Sequence, residues 1–145
     1  MACPFFYPLK RFDESRWPAR PHLPMGDPYD GECRAAAAPY RPNDHELKIW
    51  CNLGYVRGKC PRFREAHEVD AVRFAVRQDK NGIVSITYVL ERDHRPFEHG
   101  TLDYQPARQA FVTPHPAPNV DRQGQAYAAA YLRRKAAPRR PMVHL

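Results

Sequence analysis

Apolar and polar residues alternate along two neighbouring stretches in the middle of the chain, residues 70–78 and 83–91. The apolar positions of these stretches are Val72, Phe74, Val76, Val84, Ile86, Tyr88 and Leu90. A period of two is typical of a strand with one buried face. Between the stretches, Asn81 and Gly82 tolerate the positive φ angles of a tight turn. The pattern therefore predicts a β-hairpin.

More apolar stretches follow this hairpin towards the C-terminus. They predict strands near 97–104 and 109–113, and a helix over 119–136 with Asn119 or Asp121 as its N-cap. A helix across an antiparallel meander of three or four strands is the simplest way to bury the apolar face of the sheet. The predicted fold class is therefore α+β.

The first 63 residues have a different pattern, in which large apolar side chains stand among prolines. Nine of the 16 prolines precede position 62. Proline excludes long helices here, and the aromatic content excludes a disordered linker, so we expect an irregular but ordered segment. One short helix is predicted over 43–53, because Asn43 and Glu46 have the spacing of a capping box and Gly54 is a natural stop.

These patterns divide the chain into three parts of one compact unit. Residues 1–63 form the proline-rich cysteine segment, 64–137 the sheet with its helix, and 138–145 a basic tail. A chain of 145 residues fits one domain. No run approaches the roughly 18 apolar residues of a membrane span. The first ten residues also lack the pattern of a secretory signal, so the expected location is the cytoplasm.

The net charge of +7 is concentrated near the C-terminus. Residues 1–120 carry 17 basic and 15 acidic side chains, whereas residues 121–145 carry six and one. The cations of this region are Arg133, Arg134, Lys135, Arg139 and Arg140. They could hold nucleic acid or an acidic protein through phosphate or carboxylate groups. The favoured interpretation is a solvated helix end, whose cations suit the helix dipole.

All four cysteines of the chain lie within its first 60 residues. Cys3, Cys33, Cys51 and Cys60 could form two disulfides, could be unrelated thiols, or could ligate one metal centre. Disulfides need an oxidising compartment, and no export signal is visible. An isolated thiol is often simply a small buried side chain. The metal centre is favoured, because a proline-rich segment without an evident core gains folding free energy from a metal.

The spacing of the cysteines favours a [4Fe–4S] cluster over zinc, which stays the alternative. Structural zinc sites pair cysteines with two to four residues between them, but Cys51 and Cys60 have eight. A cluster is larger and accepts ligands from scattered loops. Nearby aromatic side chains would shield the centre from water, and nearby cations would offset its negative charge. These side chains are Phe5, Phe6, Trp50, Tyr55 and Phe63, and Arg57, Lys59 and Arg62.

Histidines near the cysteines, and a second polar cluster in residues 91–100, are weaker candidates. His22, His45 and His67 could replace a cysteine, but four cysteines already complete a ligand set. Within 91–100, the side chains of interest are His94, Glu98 and His99. They could serve as general acid and base or hold a second metal, although charged loops between strands commonly have no function.

The sequence thus predicts a small cytoplasmic metalloprotein in which Cys3, Cys33, Cys51 and Cys60 bind a [4Fe–4S] cluster. Its expected roles are electron transfer, redox sensing or stabilisation of an interface with a protein partner. One alternative is a zinc-stabilised binding protein whose basic tail contacts nucleic acid or an acidic partner. A weaker one is an enzyme that uses His94, Glu98 and His99. The sequence has neither a hydrolase nucleophile motif nor a phosphate-binding loop.

Overall fold

Two antiparallel sheets and a long C-terminal helix make up the fold in this computed structural model, which describes residues 1–12, 17 and 23–136. The elements in chain order are β1 (Phe6–Arg11), β2 (Tyr29–Cys33), α1 (Asp44–Glu46) with a π-helical turn (Leu47–Cys51), β3 (Ala71–Lys80), β4 (Ile83–Arg92), β5 (Arg95–Gln105), β6 (Ala110–Phe111) and α2 (Pro118–Ala136). None of the described helices is long and apolar enough to cross a membrane.

The predicted meander and fold class are confirmed. Strands β3, β4, β5 and β6 are hydrogen-bonded in that order, each antiparallel to the next. Asn81 and Gly82 form the two-residue turn between β3 and β4, with φ angles of 56° and 73°. Val84 and Ile86 of β4 are buried, as the alternation predicts.

The connection between β4 and β5 is shorter than the sequence pattern predicts. The polar stretch expected to be a loop is mostly strand, because Asp93 and His94 alone make the turn. Their φ angles are 50° and 62°, a left-handed conformation that aspartate and histidine adopt more readily than most residues. Strand β5 therefore begins at Arg95, and Glu98 and His99 lie within it.

The N-terminal segment is not irregular throughout, because β1 and β2 pair into a two-stranded sheet. Pro8 in β1 lies opposite Gly31 in β2, and the register shifts between Pro8 and Lys10. Proline is tolerated at such an irregularity, where a ladder hydrogen bond is missing. Gly31 permits the close approach, since a Cβ there would collide with the carbonyl oxygen of Tyr7.

Helix α2 packs against both sheets. Ala128 belongs to the cluster of buried side chains on the meander, whereas Ala126 belongs to the cluster of the N-terminal segment. The helix begins at Pro118, so neither predicted N-cap, Asn119 or Asp121, precedes its first turn. Proline suits that position because its fixed φ and missing N–H cost nothing there.

Candidate metal centre

The predicted short helix is confirmed, and its capping box places Cys51. Asn43 Oδ1 accepts a 2.8 Å hydrogen bond from the backbone N–H of Glu46, and Glu46 Oε1 accepts a 3.0 Å bond from the N–H of Asn43. At the other end, Asn52 Oδ1 accepts from the N–H of Tyr29 at 3.0 Å. These bonds fix both ends of the helical stretch that carries Cys51.

Backbone hydrogen bonds bring the N-terminus to this helix. The N–H of Cys3 donates to the carbonyl oxygen of Cys51 at 3.2 Å. The preceding residue, Ala2, pairs with Val72 at the start of β3 through bonds of 2.7 and 2.8 Å. Gly54, with φ of 74°, lets the chain pass so close to Met1 that a Cβ would lie 2.7 Å from the Met1 carbonyl oxygen.

The two remaining cysteines are held by local turns. Cys33 exchanges two backbone hydrogen bonds with Tyr40, of 2.7 and 3.0 Å. The N–H of Cys60 donates to the carbonyl oxygen of Val56 at 2.9 Å. These backbone bonds fix the positions of Cys33 and Cys60.

All four cysteines line one pocket, and all four are free thiols. The remaining walls come from aromatic, apolar and charged side chains: Phe5, Phe6, Tyr40, Pro42, Glu46, Trp50, Val56, Arg62 and Phe63. Among the described residues, no three His, Cys, Asp or Glu side chains are grouped so that they could hold a metal ion as they stand.

Burial makes these thiols poor acids. The pKa of Cys3 is raised from 9.0 to about 12, mainly by burial and to a smaller extent by the neighbouring Cys33 and Cys60. Burial also raises the pKa of Cys51 and of Cys33, again with help from the other cysteines. In the metal-free protein, these three thiols are therefore protonated at neutral pH.

Backbone N–H groups oppose burial by lowering the pKa of two of these thiols. Hydrogen bonds from the N–H groups of Phe5 and Phe6 favour the thiolate of Cys3, and one from Ala35 favours that of Cys33. Such donors stabilise negative charge on sulfur. These donors offset part of the effect of burial, although the pKa of both thiols stays raised.

Arg62 is the only predicted cation that lines the pocket among the described residues. Its guanidinium lies 3.3 Å from the Tyr40 ring centroid and 3.0 Å from Glu46 Oε2. Burial raises the pKa of Glu46, but bonds from Asn43, Tyr40 and Arg62 outweigh this effect and the pKa is lowered. Lys59 is exposed, and Arg57 pairs with Asp70 instead.

Four of the five predicted aromatic side chains line the pocket, and Tyr55 does not. Its hydroxyl donates to Glu91, and its ring stacks on His94 at a centroid distance of 4.1 Å. Sequence reasoning missed Tyr40 and Glu46 as wall residues. The capping-box spacing of Glu46 was the one local signal, but it indicated a helix start and gave no direction for the carboxylate.

Neither described histidine near the cysteines, His45 or His67, lines the pocket. His45 is exposed. His67 Nδ1 contacts the backbone of Val69, and its ring packs edge-on against Phe5 at 4.6 Å. His22 lies outside the described residues.

The three residues of the alternative enzyme site are not brought together. His94 stacks on Tyr55, whereas Glu98 lies 3.8 Å from Nε2 of the buried His115. His99 follows Glu98 directly in β5, so its side chain leaves the opposite face of the sheet. His94, Glu98 and His99 therefore do not form a common acid–base site in this structure.

The cations of the C-terminal helix end have intramolecular partners. Arg133 pairs with Asp27, and Arg134 donates to the carbonyl oxygen of Gly26. Lys135 Nζ lies 2.6 Å from Asp79 Oδ2. The two arginines further on, at positions 139 and 140, lie outside the described residues.

Comparison of this chain with protein-family models, curated proteins and solved structures gives no match. The functional interpretation therefore depends on the chemistry and geometry of the pocket.

Proposed function

We propose that Cys3, Cys33, Cys51 and Cys60 ligate one [4Fe–4S] cluster and that the protein serves electron transfer or redox sensing. One observation carries the proposal: four thiols from four separate chain segments line the same pocket. These are all the cysteines of the chain. Unrelated structural thiols have no physical reason to converge, since each would be satisfied by any small apolar site.

The spacing of the cysteines favours a cluster over zinc. Structural zinc sites pair cysteines with two to four residues between them, whereas eight residues separate Cys51 from Cys60. A cluster is larger than a single ion and accepts ligands from separate chain segments, as the four cysteines of this pocket would supply them.

The surroundings suit a centre that carries net negative charge. Four thiolates around a [4Fe–4S] core in its 2+ state leave a charge of about −2. The Arg62 guanidinium and the N–H donors to Cys3 and Cys33 lie where they would offset it. Cys3 is buried, whereas Cys33, Cys51 and Cys60 are partly exposed. An electron would therefore enter or leave on a side other than that of Cys3.

Anaerobic purification with iron, sulfide and zinc analysis tests the proposal. The expected result is a brown protein with about four iron atoms and four sulfides per chain. Cys51→Ser should reduce the iron content severely, because it removes one of the four thiolate ligands, whereas the control His67→Ala should not. A colourless protein with stoichiometric zinc would establish the zinc-stabilised alternative. A metal-free, folded protein would leave the cysteines as ordinary buried thiols.

A further inference from the structure

A second cavity is lined by residues of β1, β2, the end of β5 and α2. Its volume is about 390 Å³, within the range of roughly 300–1,000 Å³ that small-molecule sites occupy. Three arginines line it, and none of its described lining residues is acidic: Arg11, Arg122 and Arg133. We name this cavity the arginine cleft.

The floor of the arginine cleft is a face of α2 with small side chains. Arg122, Ala126, Ala129 and Arg133 follow one another at helical spacing and line the same side of the helix. The two arginines are separated by about 16 Å along the axis, at 1.5 Å per residue. Leu9 of β1, 38% exposed, adds apolar surface at the rim. The cleft thus combines cationic ends with an apolar floor.

The arginines differ in how much charge they leave for a ligand. Arg133 shares its charge with Asp27 and also contacts Tyr29. Arg122 donates through Nε to the carbonyl oxygen of Pro8 at 2.9 Å, which orients the guanidinium, and the guanidinium also lies 5.5 Å from the Tyr7 ring centroid. Arg11 is exposed at the end of β1. Among the described residues, neither of these two arginines pairs with a carboxylate, so they supply most of the positive charge that the cleft offers a ligand.

From this arrangement we infer that the arginine cleft binds a small organic phosphate, with its phosphate on Arg11 and Arg122 and its apolar or aromatic part on Ala126 and Ala129. Planar guanidinium groups recognise phosphate through paired N–H donors, and a pre-oriented arginine loses less entropy when it does so. The size of the cleft and the pairing of Arg134 and Lys135 within the chain favour a small ligand over a nucleic-acid strand. This inference is independent of the cluster.

Calorimetric titration of the full chain tests the inference, with adenosine monophosphate as the probe. Adenosine monophosphate should bind roughly tenfold more tightly than inorganic phosphate or adenosine, because it contacts both the arginines and the apolar floor of the cleft. Arg11→Gln should weaken binding roughly tenfold or more, the loss expected for a charge-assisted hydrogen bond. The matched control is Lys10→Gln, which removes the same charge from the adjacent exposed residue on the opposite face of β1.

Three outcomes would overturn the inference. They are equal losses in Arg11→Gln and Lys10→Gln, an affinity for adenosine monophosphate no higher than for inorganic phosphate, and tighter binding of a single-stranded oligonucleotide. Iron content measured on the same samples keeps the two proposals separate. If the unchanged protein has its full iron content but does not bind adenosine monophosphate, only the proposal for the arginine cleft is refuted. If it binds adenosine monophosphate but contains no iron, only the proposal for the cluster is refuted.

Discussion

Gln123 Nε2 in α2 donates a 2.8 Å hydrogen bond to the carbonyl oxygen of Cys3, although 120 residues separate the two in the chain. A second bond from the same atom reaches the carbonyl oxygen of Phe6 at 2.8 Å. The side chain is fully buried. The loop that carries Cys3 is thus held by the C-terminal helix, and the pocket depends on both ends of the chain.

Gln123→Leu should therefore destabilise the protein and the metal centre together. The substitution removes two buried hydrogen bonds, although the Cys3 carbonyl oxygen keeps the N–H of Phe6 at 3.1 Å, and the loss costs about 1–3 kcal/mol of the free energy of unfolding. Denaturant titration measures this loss, and iron content should decrease in parallel. Gln125→Leu is the control, because Gln125 bonds only to Asp121 among the described residues. A loss in the control as large as in Gln123→Leu would contradict this role of Gln123.

Gly54→Ala should be more damaging than Gly58→Ala. Both glycines have a positive φ, 74° and 77°, so both substitutions cost about 1 kcal/mol in backbone strain. At Gly54 the new Cβ would also lie 2.7 Å from the Met1 carbonyl oxygen, whereas nothing lies within 4 Å of it at Gly58. Denaturation should show an additional loss of about 1–3 kcal/mol for Gly54→Ala. Equal losses of stability in the two variants would mean that the N-terminal segment moves away from the new Cβ without a free-energy cost.

The metal-free protein should lose stability at alkaline pH. The pKa of Cys3 is raised by burial from 9.0 to about 12, so the folded state favours the protonated thiol. This contribution is complete below pH 9 and is lost as the pH rises from 9 towards 12, because the unfolded chain releases its proton first. Urea titrations of the metal-free protein at about pH 8, 9 and 10 measure the decline. Cys3→Ala should make the dependence shallower, and an unchanged slope would argue against burial of this thiol.

The ionised Asp70 carboxylate should stabilise the fold at neutral pH. Its Oδ1 accepts from Arg57 Nε at 2.7 Å and its Oδ2 from the N–H of Asp93 at 2.9 Å. Burial raises the pKa of Asp70, but these bonds outweigh it, and the pKa is lowered from 3.8. The stabilisation is present above pH 3.8 and is lost as the pH falls through the lower folded-state value.

Acid titration followed by circular dichroism measures the contribution of Asp70. Asp70→Asn should lower the free energy of unfolding at neutral pH and flatten its dependence on pH in the acid range. Asp103→Asn is the control, since Asp103 is exposed and bonds to Ser85. If both variants keep the same acid transition as the unchanged protein, the bonds to Asp70 do not stabilise the fold.

Candidate-site residues were partly visible in the sequence. The four cysteines and the shielding aromatics Phe5, Phe6, Trp50 and Phe63 could be proposed because they are close in sequence or chemically distinctive. The prediction that Tyr55 shields the centre is wrong, because proximity along the chain does not fix the direction of a side chain. Its positive φ of 56° turns it towards Glu91 and His94.

The sequence by itself determined the meander, its Asn81–Gly82 turn, the capped short helix and the C-terminal helix. These features depend on local rules: the side-chain period, the φ angles that a turn tolerates, and the hydrogen bonds within one helical turn. Only the tertiary structure decided that β1 pairs with β2, that four cysteines share one pocket, and that three arginines line one cleft. Such contacts join residues many positions apart, and they depend on where the chain returns, which no local pattern encodes.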